Sequence, residues 1–314
     1  MKLNLPLKKV FFLLTLFLLI PSTSQAIDQI RLTAIPPRTE DLRLSPGESQ
    51  QITLKIKNET QVELVIDVGA KDFIVQDAQG SITPLEGDIP ENAARWSLAS
   101  WLTLSEQQVL VAPNESYPVE VLINVPEDAV PGGHYAYVYY QPSTESLVGN
   151  SEGSAATVVQ QVGSLIYLTV EGDIQEEAYV RRLKVPFFSE YGPISFLTEI
   201  DNLSDTHIRP QGNIQIKNIF GQLSTTLQLE EKNIFPYTSR IFENTWDKKW
   251  LFGRYQANLN AGYGDTGQAL LATAFFWVIP WRLILALLLA LLIVVLITLI
   301  LRQRARQPTI VDKS

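Results

Sequence analysis

The chain has 314 residues, no cysteine, and a formal net charge of −8 from 25 basic and 33 acidic side chains. Residues 27–281 alone hold 17 basic against 32 acidic groups, a net charge of −15, which excludes the basic footprint that nucleic-acid binding requires. Without cysteine there is no disulfide framework, and a stretch of this length buries enough apolar surface to fold without one.

Lys2, Lys8 and Lys9 precede an apolar run at residues 10–20, which Pro21 breaks ahead of Ser24-Gln25-Ala26. This is the plan of a secretory signal, with cleavage expected after Ala26 and a mature chain starting at Ile27. The run is shorter than the roughly 20 residues a bilayer span needs.

From Ile27 onward the pattern is one of strands. Residues 52–58 alternate apolar and polar, and residues 62–68 are expected to pair with them as a hairpin. Further strands are expected at 73–76, 101–104, 107–111, 117–125, 134–141 and 156–171. Gly172 marks a break. Seven more follow at 178–185, 194–202, 208–216, 222–229, 239–244, 255–259 and 269–276. The fold class expected is all-β, two tandem immunoglobulin-like sandwiches at 27–172 and 173–278.

The two halves echo one another. Pro46-Gly47-Glu48-Ser49, Pro113-Asn114-Glu115-Ser116 and Pro236-Tyr237-Thr238-Ser239 each precede an alternating strand, as turns would. Gly133-His134-Tyr135 and Gly253-Arg254-Tyr255 each open a late strand, where a tyrosine corner is expected. Asn58, Asn114 and Asn202 head Asn-x-Ser/Thr tripeptides, too common a pattern to carry weight.

Residues 283–301 form an unbroken stretch whose single polar member is Thr298. A helix of nineteen residues crosses the hydrocarbon core. Pro280 suits its first turn, Trp277 and Trp281 suit an interfacial belt, and Arg302, Arg304 and Arg306 suit the cytoplasmic side. A transmembrane helix is expected at 279–301 and a basic tail at 302–314, with the C-terminus cytoplasmic.

Catalysis finds no constellation. The histidines are His134 and His207, and no nucleophile elbow, P-loop or metal-ligand pair is present. His207 is expected in an exposed turn. The chain is read as no enzyme, with no cofactor and no metal. Trp96 and Trp101 are expected in the core. Alternation puts Tyr135, Tyr137 and Tyr139 on one face of their strand and Ala136, Val138 and Tyr140 on the other. If the aliphatic face is core, Tyr137 and Tyr139 stand outward as ligand-contacting rings. The polar loop at 142–154 is a second contact candidate.

Pro131-Gly132-Gly133-His134-Tyr135-Ala136, preceded by Val125-Pro126-Glu127-Asp128-Ala129, is similar to the WxL-interacting protein family of bacterial surface proteins. Ile35-Pro36-Pro37, Leu44-Ser45-Pro46-Gly47-Glu48 and Val162-Gly163-Ser164 extend the resemblance. It implies a first domain that binds peptidoglycan and a second that binds WxL proteins. Together these readings give a membrane-anchored bacterial surface binding or scaffold protein, its partners cell-wall polymer or other surface proteins. The alternative is a tethered chaperone-like assembly factor that takes partner strands by β-augmentation. An extracytoplasmic hydrolase stands third. A long, uncovered edge strand in the first domain would favour the alternative.

Overall fold

A computed structural model of the chain describes residues 31–87, 89, 91–143 and 161–305. The expected signal segment, the start at Ile27, most of the 142–154 loop and most of the basic tail lie outside the described residues.

The first eleven strands are β1 (Leu32–Ile35), β2 (Arg38–Leu44), β3 (Ser49–Asn58), β4 (Leu64–Lys71), β5 (Phe73–Val75), β6 (Ile82–Pro84), β7 (Leu102–Leu104), β8 (Gln108–Val111), β9 (Ser116–Asn124), β10 (Gly132–Pro142) and β11 (Val162–Val170). They form two packed sheets, ordered β1-β3-β9-β7 and β2-β11-β10-β4-β8, with β5-β6 as a separate hairpin. Period-two alternation turns Leu54 and Ile56 of β3 and Val119, Val121 and Ile123 of β9 inward. There they meet Leu64, Ile66, Val138, Tyr140, Ile166 and Leu168 of the facing sheet. Each such side chain contributes about 1.5–3 kcal/mol on burial.

The hairpin expected between residues 52–58 and 62–68 does not form. β3 pairs with β1 and β9, whereas β4 pairs with β8 and β10 in the other sheet. The connection at 59–63 crosses the sandwich, because both strands carry inward apolar faces that bury best against each other. Two further strands, β1 and β2, lie in a stretch where no alternation announced them.

The second sandwich contains β12 (Ala178–Lys184), β13 (Phe188–Ser189), β14 (Ile194–Asn202), β15 (Gln211–Asn218), β16 (Leu223–Gln228), β17 (Ser239–Trp246), β18 (Gly253–Tyr263) and β19 (Gln268–Val278). Its sheets are ordered β12-β14-β17 and β13-β19-β18-β15-β16. Phe196, Phe242, Phe276, Ile214, Ile216 and Ala257 fill the space between them, all fully buried. The architecture is two immunoglobulin-like β-sandwiches followed by one C-terminal apolar helix. No sheet mixes strands from the two sets.

The three Pro-x-x-Ser segments are the same turn. In each, the residue after proline takes a positive φ: Gly47 at 81°, Asn114 at 60° and Tyr237 at 54°. The bonds Glu48 N–H to Ser45 O, Glu115 N–H to Ala112 O and Thr238 N–H to Phe235 O close them at 3.0, 3.2 and 3.2 Å. That is the type II pattern, with proline at the first central position and a left-handed residue at the second.

β19 leads through Ile279 and Pro280 into helix α1, Trp281–Ala305. Twenty-five residues give a rod about 37 Å long at 1.5 Å per residue, and residues 281–302 are long and apolar enough to cross a membrane.

Candidate binding surface at the domain junction

β10 faces both sandwiches. Ala136, Val138 and Tyr140 enter the first core, as alternation requires. Tyr135 and Tyr137 point away from it into a second cluster with Phe73, Tyr167 and Phe235. Phe235 comes from the second sandwich, and its ring meets Tyr135 edge-on at 4.9 Å and Tyr167 at 5.3 Å. Such edge-to-face pairs add about 0.5–1.5 kcal/mol each beyond area burial.

Polar contacts fix the angle between the domains. The backbone N–H of His207 donates to Tyr135 Oη at 2.8 Å, and His207 Nδ1 lies 3.2 Å from the same oxygen. Gly133 N–H donates to Asp205 O at 2.8 Å, and Ile241 N–H of β17 donates to Ala78 O at 2.8 Å. Arg95 pairs with Asp205 at 2.9 Å and Arg43 with Asp265 at 2.8 Å. Tyr135 therefore is no local corner; its hydroxyl bonds the neighbouring domain, and burial pushes its ionisation far up. Tyr255 does act locally, its hydroxyl donating to Phe252 O at 3.3 Å.

This packing corrects the expected aromatic surface. Tyr137 is only 9% exposed, and Tyr139 is half-buried with Lys71 Nζ 4.8 Å from its ring centre. The face they share does point away from the first core, but the β5-β6 hairpin and the second domain cover most of it. A ligand reaching Tyr137 would have to lift that cover; Tyr139 alone stays partly accessible. His207 is likewise half-buried at the junction, not on an exposed turn. Trp96 and Trp101 are also half-buried, Trp96 against Tyr237 at 5.9 Å and Trp101 against His134 at 4.4 Å.

His134 is held by carbonyls on both ring nitrogens, Ser97 O at 3.1 Å from Nδ1 and Val130 O at 2.9 Å from Nε2. Burial lowers its pKa, opposed by those two carbonyls. The neutral ring carries one N–H and so donates to one of these two acceptors, and beside Ser97 O it braces the 97–101 segment. Asp72 braces the same segment, accepting from Ser97 Oγ and from the N–H groups of Leu98 and Ala99 at 2.8–2.9 Å.

Beside the junction lies a polar cleft of about 970 Å³, lined among others by Arg43, Glu171, His207, Arg209, Asn233 and Asp265. Arg209 Nε donates to Asn233 Oδ1 at 2.8 Å, so the cleft walls are knit together by their own side chains. Its rim includes Arg43 of β2, which among the described residues is the terminal strand of its sheet. β2 is seven residues long and pairs parallel with β11 through five of them, with one irregularity between Ile166 and Leu168. The other terminal strands of the first sandwich, β1, β7 and β8, have four, three and four residues. Pro37 O and Leu44 O accept from Leu165 and Glu171 on the β11 side. β2 had no signal in the sequence beyond the prolines before it, since its Arg, Glu and Asp residues mask any strand period.

No family model matches the chain, and no curated protein matches it. Among solved structures it is similar to the class 5 fimbriae chaperone CfaA, at 15% identity over 77% of this chain and 98% of that one, with a TM-score of 0.40. It is also similar to the Pseudomonas aeruginosa CupB2 chaperone, at 9% identity over 78% and 100% of the two chains, with a TM-score of 0.34. The E. coli chaperone DraB gives 11% identity over 78% and 96%, with a TM-score of 0.33. Values that low transfer no ligand and no residue role.

Proposed function

We propose that this is a membrane-anchored, extracytoplasmic binding protein that takes an extended segment of a partner protein along β2, as a tethered assembly factor. The observation that carries this reading is β2 itself: seven residues long, terminal in its sheet among the described residues, and reaching the rim of the polar junction cleft through Arg43. A partner segment lying along this strand would have the cleft beside it to receive polar side chains. The charges along β2 guard the edge against indiscriminate pairing, as native edge strands do. A surface protein as partner also accommodates the resemblance to WxL-interacting proteins. The cell-wall polymer reading, implied by the family resemblance, had Tyr137 and Tyr139 as its candidate contacts, and the burial of Tyr137 removes half of that surface.

The anchor in this reading is helix α1, with the sandwiches outside and the basic residues after Leu301 inside. The two domains then stack away from the bilayer, since the 264–267 turn at the junction end of β19 lies opposite the end that enters α1.

The test is position-resolved photocrosslinking in cells making the full chain. A photoreactive residue at Arg38 should give a discrete protein adduct that the same residue at Leu110, on β8, does not give. Arg43→Ala, which removes the ion pair with Asp265 and leaves the strand's backbone in place, should retain the adduct. Equal adducts at both positions, or loss of the adduct in Arg43→Ala, would sink the strand-addition reading.

A further inference from the structure

The two ends of the second sandwich differ in chemistry. At one end, Gly253 opens β18 opposite Val278, the last residue of β19. Asn218 at the end of β15 lies opposite Tyr255, β13 pairs with Trp277 and Val278, and Ile194 at the start of β14 lies opposite Trp246. The connections at 185–193, 219–222 and 247–252 therefore gather where the chain enters α1. Gly192 N–H donating to Lys249 O at 3.0 Å, and Trp277 N–H donating to Phe187 O at 2.9 Å, tie them together.

These loops are aromatic and bare. Phe187 is 72%, Phe220 84%, Trp250 61% and Phe252 71% exposed. Among the described residues the first sandwich exposes no aromatic of this kind, only scattered aliphatics such as Leu110 and Val130. The opposite end of the second sandwich turns through Gly264, Asp265, Thr266 and Gly267, which are polar or small. Nothing in the folding of the domain asks for four exposed rings at one end, and soluble surfaces do not gather them without a partner.

Charge follows the same division. Lys248, Lys249, Arg254 and Arg282 stand at this end, in an ectodomain otherwise strongly acidic. Lys249 Nζ lies 5.7 Å from the Trp250 ring centre, the Arg254 guanidinium 4.4 Å from that of Phe275 and the Arg282 guanidinium 5.4 Å from that of Trp281. Of the two acids here, Glu190 is paired with Arg282 at 3.5 Å and Asp247 is exposed beside Lys248, which leaves the basic groups in excess. Rings with cations beside them match the interfacial layer of a bilayer, where aromatic side chains settle at headgroup depth and basic groups meet lipid phosphates.

We infer that this end of the second sandwich is a membrane-contacting surface. Phe187, Phe220, Trp250 and Phe252 seat in the interfacial layer of the leaflet from which α1 emerges, with Lys248, Lys249 and Arg254 on its anionic headgroups. The inference rests on α1 being a span. Only Ile279 and Pro280 separate β19 from α1, so the bilayer surface then lies within about one helical turn of these loops. The collar holds the ectodomain upright and presents the junction cleft and β2 at a set height above the membrane. The acidic remainder of the ectodomain is repelled by the same headgroups, which reinforces that posture.

The natural absence of cysteine permits single-site spin labelling of the full chain reconstituted in phosphatidylglycerol-containing liposomes. Nitroxides at Phe220→Cys and Phe252→Cys should collide preferentially with dissolved oxygen over an aqueous nickel chelate, in the sense shown by a label at Leu292→Cys within α1. A label at Leu110→Cys should show the reverse. Labels at 220 and 252 that behave like the one at 110, while 292 reads as lipid, would overturn the collar and leave the anchor standing. An aqueous reading at 292 would overturn the anchor and the collar with it. Spin–spin broadening at 220, with both relaxants excluded, would assign the face to a second copy of the chain and overturn the lipid assignment.

Discussion

Asn58 and Asn202 occupy the same position in the two sandwiches, each the last residue of its strand and each fully buried. Asn58 Nδ2 donates to Val62 O at 2.8 Å and Val111 O at 3.0 Å, while its Oδ1 accepts from Thr60 N–H and Oγ1. Asn202 Nδ2 donates to Thr206 O and Ile234 O at 2.8 and 2.9 Å, and its Oδ1 accepts from Ser204 N–H. Each side chain thus ties the strand end to the segment just ahead of a type II turn. Two of the three tripeptides that look like glycan acceptors are here internal clamps, while Asn114 sits exposed in its turn. Asn58→Ala or Asn202→Ala should cost roughly 2–4 kcal/mol, because buried carbonyls lose their donors. Asn→Asp should be no milder, since the carboxylate faces the same carbonyl oxygens. Chemical denaturation of the variants checks both; a loss below about 0.5 kcal/mol would contradict the clamp.

Gly132 sets how close the domains approach. Its φ is 126°, and a Cβ built there would stand 2.5 Å from the Asp205 carbonyl oxygen. Gly132→Ala should push the sandwiches apart, break the Gly133 N–H to Asp205 O bond, and widen the inter-domain angle. Small-angle scattering of the detergent-solubilised protein should register a larger radius of gyration. An unchanged profile would mean that the domain angle is set elsewhere.

Tyr137 and Tyr139 share a face but not a fate. Tyr137→Ala opens a cavity among Phe73, Trp96 and their neighbours and should cost about 3 kcal/mol, as large-to-small core changes do. Tyr139→Ala should cost well under half of that, since its ring is half-exposed and leans on Gly69 and Lys71. Thermal melting of the two variants side by side decides it; equal losses would show that the face is buried throughout.

His134 gives the first domain a pH dependence with a definite sign. Its folded pKa lies below the ordinary value of 6.5, chiefly because burial penalises the charged ring, with Arg95 adding to the effect and Asp72 opposing it. The unfolded chain therefore takes up the proton first. Stability is fully present above about pH 6.5, falls as pH drops below it, and levels once the folded ring also titrates. His134→Gln should flatten that part of a denaturation-midpoint profile. An unflattened slope would place its origin in other groups.

Some of this was legible in the chain itself. Period-two alternation identified most of the strands and correctly separated the two faces of β10, because a pleated strand sends neighbouring side chains to opposite sides. An apolar run without a charge from residue 283 to residue 301 leaves a helix as the one way to satisfy its backbone in lipid. The Pro-x-x-Ser segments marked turns through the fixed φ of proline. Tertiary structure decided what depends on distant partners. β2, with four charges in seven residues, is a strand because β11 offers it an edge. Tyr135 is buried because Phe235, one hundred positions away, closes over its ring. Asn58 and Asn202 became clamps because Val111 and Ile234 arrive beside them. The exposed rings of residues 187, 220, 250 and 252 are scattered along sixty-six positions, and pairing of β13, β15 and β18 around β19 is what gathers them at one end.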